Sequence, residues 1–256
     1  MSNICPHCSH DFKKRKGNLT RHLKTSKCSK IAKVIETKLE RKIINVVQKV
    51  VNSKSLKIKE NDYKSVSFNK EQLEFINEPM YDCKLLGIPG GGKTRCIIEK
   101  ISRAFETKEF KLSSNFMVLT FSKKTIEDII LKGTKVIKKF NTKNIKTLHS
   151  LAGSIVNKIL KRNSSSIETI IVAAVNLLKK IKVEDLLEIK CLENLKVIFI
   201  DEAQDISGIQ YEFLTLLKEK LKCVMIMIGD SNQNIFQFQD GSDKYLLNYD
   251  NKAFYL

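Results

Sequence analysis

A chain of 256 residues with 42% apolar side chains, no tryptophan and a mean hydropathy of −0.21 can build one sizeable core plus a small module, and is not composed like a disordered protein. The net charge of +18 is unevenly placed: residues 1–65 hold 17 Lys/Arg against 5 Asp/Glu, whereas residues 66–256 hold 29 against 23. No apolar run reaches the roughly 18 residues of a membrane span, and the start, MSNICPHC, lacks the basic-then-apolar order of a secretory leader, so an intracellular protein is expected.

The N-terminal segment carries the basic excess, which is the electrostatic footprint of a nucleic-acid binder; solubility and a Lys/Ile/Asn-biased genome are the plain alternative. Three of the seven cysteines, Cys5, Cys8 and Cys28, fall in the same stretch, and the other four lie in apolar surroundings. That distribution suits a reducing compartment, with a metal site at one end and buried thiols elsewhere. Cys5 and Cys8 form a C-x2-C knuckle, followed by His22 and, after a five-residue gap, Cys28. Thiolates and an imidazole at such intervals can close a tetrahedron around Zn2+. Phe12 and Leu19 would supply the miniature core, and residues 17–27 the helix. The segment resembles a two-Cys, two-His finger with cysteine as its last ligand; His7 and His10 are competing ligands. One finger reads only about three base pairs, so it is expected to add phosphate contacts through Lys13, Lys14, Arg15, Lys16, Arg21 and Lys24. Residues 31–51 repeat apolar side chains at steps of three and four, one stripe of an amphipathic helix, and residues 52–67 read as a polar linker.

The main domain opens with a candidate phosphate cradle. In CKLLGIPGGGKTRCIIEK an apolar strand leads into G-x4-G-K-T and then into a helical pattern. Gly87, Gly92, Lys93 and Thr94 have the P-loop spacing. Glycines let backbone N–H groups turn toward phosphates at the positive end of a helix. Lys93 would reach the β- and γ-phosphates, and the Thr94 hydroxyl would hold Mg2+. The complementary acid comes from LKVIFIDEAQDIS, where residues 197–200 form the short continuous apolar run of a buried parallel strand. Asp201 at its end would bind Mg2+ through water, and Glu202 would polarise the attacking water. Acids at a helix start would explain the same pair without chemistry.

DEAQD resembles the second motif of superfamily 1 helicases of the UvrD, Rep and PcrA group, and further motifs follow that family's order. FNKEQ (68–72) is similar to its glutamine motif, VLTFSKK (118–124) to its LTFTNK-like motif, TLHS (147–150) to T-x-HS, and IGDSNQNIFQFQDG (228–241) to its third motif. The resemblance covers residues 68–241. It implies a P-loop, RecA-like, doubly wound parallel α/β sheet that binds ATP and Mg2+, acts on single-stranded DNA and hydrolyses ATP. The implied nucleotide contacts are Gln72, Gly87, Gly90, Gly91, Gly92, Lys93, Thr94 and Arg95; the implied catalytic group is Lys93, Asp201, Glu202 and Gln233. The implied nucleic-acid contacts are Phe121, Ser122, Lys123 and His149, with Phe236 and Phe238 as a stacking platform. Several have plainer readings: Gln72 as a helix cap with Asn69, Phe121, Phe236 and Phe238 as core aromatics, and His149 as a cap at a strand–helix turn.

The family's motor has a second RecA-like half that supplies arginines to the γ-phosphate. Only 15 residues follow Gly241, none of them arginine, so a second half is expected from another chain or from a longer native protein. The segment between His149 and Asp201 is short for the family, and residues 154–190 read as helical. The expected organisation is a zinc finger (1–30), an amphipathic helix and linker (31–66), and an ATP-binding helicase domain (67–256). A non-motor, nucleic-acid-binding adaptor with a nucleotide-sensing domain is the alternative, and RNA is a possible substrate in place of DNA.

Overall fold

The structure, a computed structural model, describes residues 67–138, 140–160, 167–230, 244–249 and 251–256. The proposed zinc ligands Cys5, Cys8, His22 and Cys28, the helix at 31–51, and Gln233, Phe236 and Phe238 lie outside the described residues.

The first described helix, α1 (Lys70–Asn77), starts because Asn69 caps it: Asn69 Oδ1 accepts from the Gln72 amide at 2.7 Å, and Gln72 Oε1 accepts in return from the Asn69 amide at 3.1 Å. Next come β1 (Cys83–Leu86), α2 (Lys93–Glu106), β2 (Phe116–Thr120), α3 (Lys123–Val136), β3 (Ile145–Thr147) and α4 (Leu148–Leu160). The remaining elements are α5 (Ile167–Lys180), α6 (Val183–Leu187), β4 (Val197–Ile200), α7 (Gly208–Leu221), β5 (Val224–Gly229), α8 (Lys244–Leu247) and β6 (Lys252–Tyr255). The helical reading of residues 154–190 thus resolves into α4, α5 and α6.

The strands form one parallel sheet in the order β3-β2-β4-β5-β1-β6. Side chains alternate along each strand, and the alternation separates two cores. Cys83, Leu85, Phe116, Val118, Val197, Phe199, Ile226 and Ile228 pack with the helices α1, α2 and α3 on one face. Leu86, Met117, Leu119, Ile198, Ile200, Met225 and Met227 pack with α4, α5 and α7 on the other. A strand buried on both faces is apolar nearly throughout, which is why residues 116–119 of β2 and all of β4 read as continuous apolar runs. Each fully buried Phe, Leu or Ile contributes roughly 1.5–3 kcal/mol. This is the doubly wound arrangement expected from sequence.

The cysteines follow the same logic. Cys83, Cys96 and Cys223 are buried and free, and burial pushes their thiols up to about 12, 12 and 11, which keeps them protonated and inert. Among the described residues no helix is long and apolar enough to cross a membrane.

Candidate nucleotide and nucleic-acid site

Parallel strands deliver all their carboxyl ends to one edge, and ligands of such sheets bind there. Register makes this concrete. Leu86 pairs with Gly229 and the Gly87 amide donates to the Gly229 carbonyl at 3.1 Å, so the loop after β1 starts level with the end of β5. Leu119 pairs with Ile200 and the Asp201 amide donates to the Leu119 carbonyl at 2.8 Å, so Phe121 and Asp201 leave the sheet side by side. Thr120 pairs with Thr147, which adds the start of α4 and His149.

The P-loop runs from Gly87 into α2. Gly90 and Gly92 have φ of 76° and 85°, left-handed values that favour glycine. At Gly92 a Cβ would also lie 2.9 Å from Gln72 Nε2. Gln72 Nε2 donates to the Gly91 carbonyl at 3.0 Å, while its Oε1 caps α1. Gln72 is therefore both a helix cap and a direct neighbour of the loop. Lys93 Nζ folds back over the loop and donates to the carbonyls of Gly87 (2.8 Å) and Ile88 (3.2 Å). Thr94 lies beside it in the first turn of α2. Arg95 stacks its guanidinium on the Phe68 ring, 4.0 Å from the centroid.

Asp201 is only 1% exposed. Burial pushes its carboxyl up to about 7, the Glu202 charge adds to this, and the Glu202 amide and Lys93 oppose it. Its Oδ1 accepts from the Glu202 amide at 3.1 Å, and no donor among the described residues reaches the buried Oδ2. An acidic oxygen held dry and unmatched fits a hard cation such as Mg2+. No group of three or more His, Cys, Asp or Glu among the described residues is arranged as a metal cage.

Glu202 sits in the left-handed region at φ 58° and ψ 42°, which turns the chain sharply at the end of β4. Gln204 fixes it: Gln204 Nε2 donates to Glu202 Oε2 at 2.9 Å, and Gln204 Oε1 accepts from the Asp230 amide at 3.1 Å. Gln204 thereby ties the end of β4 to the end of β5, and a Cβ at Gly229 would run into its amide. Asp205 is pushed up to about 6, by burial first and by Glu202 second.

The remaining expected contacts lie on the same edge with different degrees of freedom. Phe121 is half-buried against the core of the α4/α5/α7 face. Ser122 caps α3, its Oγ accepting from the Lys124 amide at 3.2 Å, and Lys123 is exposed in the first turn. His149 is half-buried at the start of α4, but the turn there is capped by Thr147 Oγ1, which accepts from the Ser150 amide at 3.1 Å. The structure thus brings Gln72, the P-loop glycines, Lys93, Thr94, Arg95, Phe121, Ser122, Lys123, His149, Asp201 and Glu202 to one edge. Sequence reasoning missed Gln204 and Asp230. An acid directly after an apolar strand marks Asp230, the same signal that marked Asp201; Gln204 stood inside DEAQD without an assigned role.

The sequence profile of the UvrD/REP helicase N-terminal domain matches residues 68–168 and 156–253. The chain belongs to this helicase family. It is 31% identical over 194 residues to a protein of Acanthamoeba polyphaga mimivirus named "Putative ATP-dependent DNA helicase R568", covering 74% of this chain and 28% of that protein. It is 35% identical over 107 residues to the ATP-dependent DNA helicase Rep of Buchnera aphidicola subsp. Schizaphis graminum, covering 40% of this chain and 16% of that one. The chain thus spans less than a third of the length of these relatives. Among solved structures, the Pif1 helicase from Candida albicans aligns with a TM-score of 0.43 and 15% identity, over 75% of this chain and 40% of that one.

Proposed function

We propose that this chain is the ATP- and Mg2+-binding half of a DNA helicase motor, which holds single-stranded DNA and couples ATP hydrolysis to strand movement when a second motor half closes on it. The observation that carries this reading is the single edge on which Lys93, Thr94, Asp201 and Glu202 meet at aligned strand ends. Lys93 exchanges its loop carbonyls for phosphate oxygens. Asp201 and Thr94 hold Mg2+, which when bound neutralises phosphate charge and orients the γ-phosphate. Glu202, fixed by Gln204, accepts a proton from the attacking water. Gln72 reads the base and Gln233 senses the γ-phosphate. Phe121, Ser122, Lys123 and His149, with Phe236 and Phe238, form the strand groove, where a stacked base is worth roughly 1–3 kcal/mol. The names of both relatives support DNA as the substrate. Cys5, Cys8, His22 and Cys28 bind zinc, and Lys13, Lys14, Arg15, Lys16, Arg21 and Lys24 of the same segment add phosphate contacts.

Steady-state ATPase with single-stranded DNA tests this reading. Arginines from a second half are worth about 10³–10⁵ in rate, so the chain alone should bind Mg-ATP and turn it over slowly. Glu202→Gln should keep binding and remove the residual turnover. Fast DNA-stimulated turnover by this chain alone, or turnover that survives Glu202→Gln, would overturn the reading.

A further inference from the structure

Lys100 lies on α2, two turns after the P-loop lysine, and is 1% exposed. Its Nζ donates to the carbonyls of Phe75 (2.7 Å) and Glu78 (2.6 Å) and sits 4.7 Å from the Phe75 ring centroid. Those carbonyls end α1, the helix whose first turn carries Gln72. The same short helix is thus held at both ends by the P-loop and its helix, through Gln72 on Gly91 at one end and Lys100 at the other. Eight residues are too few for a helix to persist unaided. Gln72 precedes Phe75 by one helical turn, so movement of the pinned end is transmitted directly to the glutamine.

We infer that Lys100 is a positioning residue for nucleobase recognition, holding α1 so that the Gln72 amide stands at the edge of the nucleotide site and selects adenine over guanine. The inference rests on the proposed base-reading role of Gln72. A buried ammonium is costly to keep, and a packing role alone would be met by leucine or methionine. What the ammonium adds is a pair of charge-assisted bonds to helix-end carbonyls, which fix the position of α1 along α2 as well as its distance. A cleft of about 320 Å³ lined by Glu78, Lys100, Arg103 and Glu109 opens beside it and leaves room for arginine at this position.

The test uses the full chain with fluorescent ATP and GTP analogues carrying the same label on the ribose, in the presence of Mg2+. Lys100→Met and Lys100→Gln, neither of which spans both carbonyls, should each weaken ATP binding about tenfold, the scale of one lost hydrogen bond. GTP binding should stay within about twofold. Lys100→Arg should retain the wild-type preference. Gln72→Ala should show the same loss, and the Gln72→Ala/Lys100→Met double variant should lose no more than Gln72→Ala alone. Equal weakening of ATP and GTP, an unchanged preference in a cooperatively melting Lys100→Met or Lys100→Gln protein, or an additive double variant would overturn the inference. If Gln72→Ala itself leaves the preference intact, the base-reading role falls and this inference with it. If Gln72→Ala shifts the preference and the Lys100 variants do not, only this inference falls.

Discussion

The Asp201 carboxylate is costly to keep at neutral pH, and removing its charge should stabilise the metal-free protein. Burial raises its pKa from 3.8 to about 7. The folded protein therefore holds a proton that the unfolded chain releases, and this group's contribution to stability falls as pH rises from about 4 to about 7. The slope is up to ~1.4 kcal/mol per pH unit, and the accumulated cost above the folded pKa is ~4 kcal/mol. Asn at this position carries no charge to desolvate and keeps the acceptor for the Glu202 amide, which lies 3.1 Å from Oδ1. Its new N–H₂ stands where the unpartnered Oδ2 stood and loses the attraction of the Lys93 charge, which offsets part of the gain. Asp201→Asn should thus be more stable than wild type by about 2–4 kcal/mol at pH 8 in EDTA, and close to wild type at pH 4. Urea denaturation of both proteins at the two pH values reads this directly. A stability difference that is the same at both, or a variant less stable than wild type at pH 8, would refute the reasoning. The same substitution should weaken Mg-dependent nucleotide binding, because a neutral amide is a poor Mg2+ ligand.

Lys100 should give the opposite slope on the alkaline side. Burial lowers its pKa from 10.5 to about 8, so the unfolded chain keeps the proton longer and stability rises with pH across that window. The wild-type minus Lys100→Met stability difference should climb between about pH 8 and pH 10 by up to ~3 kcal/mol, and a flat difference curve would contradict the assignment. Gly229→Ala would place a methyl against the Gln204 amide and 2.8 Å from Leu246, and should cost about 1–3 kcal/mol in chemical denaturation while loosening Glu202. Metal analysis of the purified full chain should find one zinc per molecule, lost in Cys8→Ser; a metal-free wild-type protein would remove the finger.

The strands that lead into the P-loop and into Asp201 were legible because burial on both faces writes itself into sequence, whereas the strand order was not. Residues 197–200 are apolar at every position, and β4 occupies that run. The P-loop was equally plain, because its glycines mark the left-handed turns at Gly90 and Gly92. What stayed hidden is whatever depends on contacts between distant elements. Gln72 was read as either a cap or a nucleotide contact, and it makes the cap while donating to Gly91, nineteen residues away. Lys100 looks like any lysine in an amphipathic helix until its place, three residues after buried Ile97, puts the ammonium under α1. Gln204 joins β4 to β5, which are adjacent only once the sheet has formed. His149 and Phe121 show the other limit, since half-burial just beyond a strand end does not distinguish a packing role from a ligand contact.

The central claim is that the edge joining Lys93, Thr94, Asp201 and Glu202 is a nucleotide site linked to single-stranded DNA. Calorimetric titration of the full chain with ATP, with and without Mg2+ and a single-stranded oligonucleotide, tests it most directly. Saturable, Mg-dependent ATP binding that is lost in Lys93→Ala and altered by the oligonucleotide is expected. ATP binding that persists unchanged in a folded Lys93→Ala protein would contradict it.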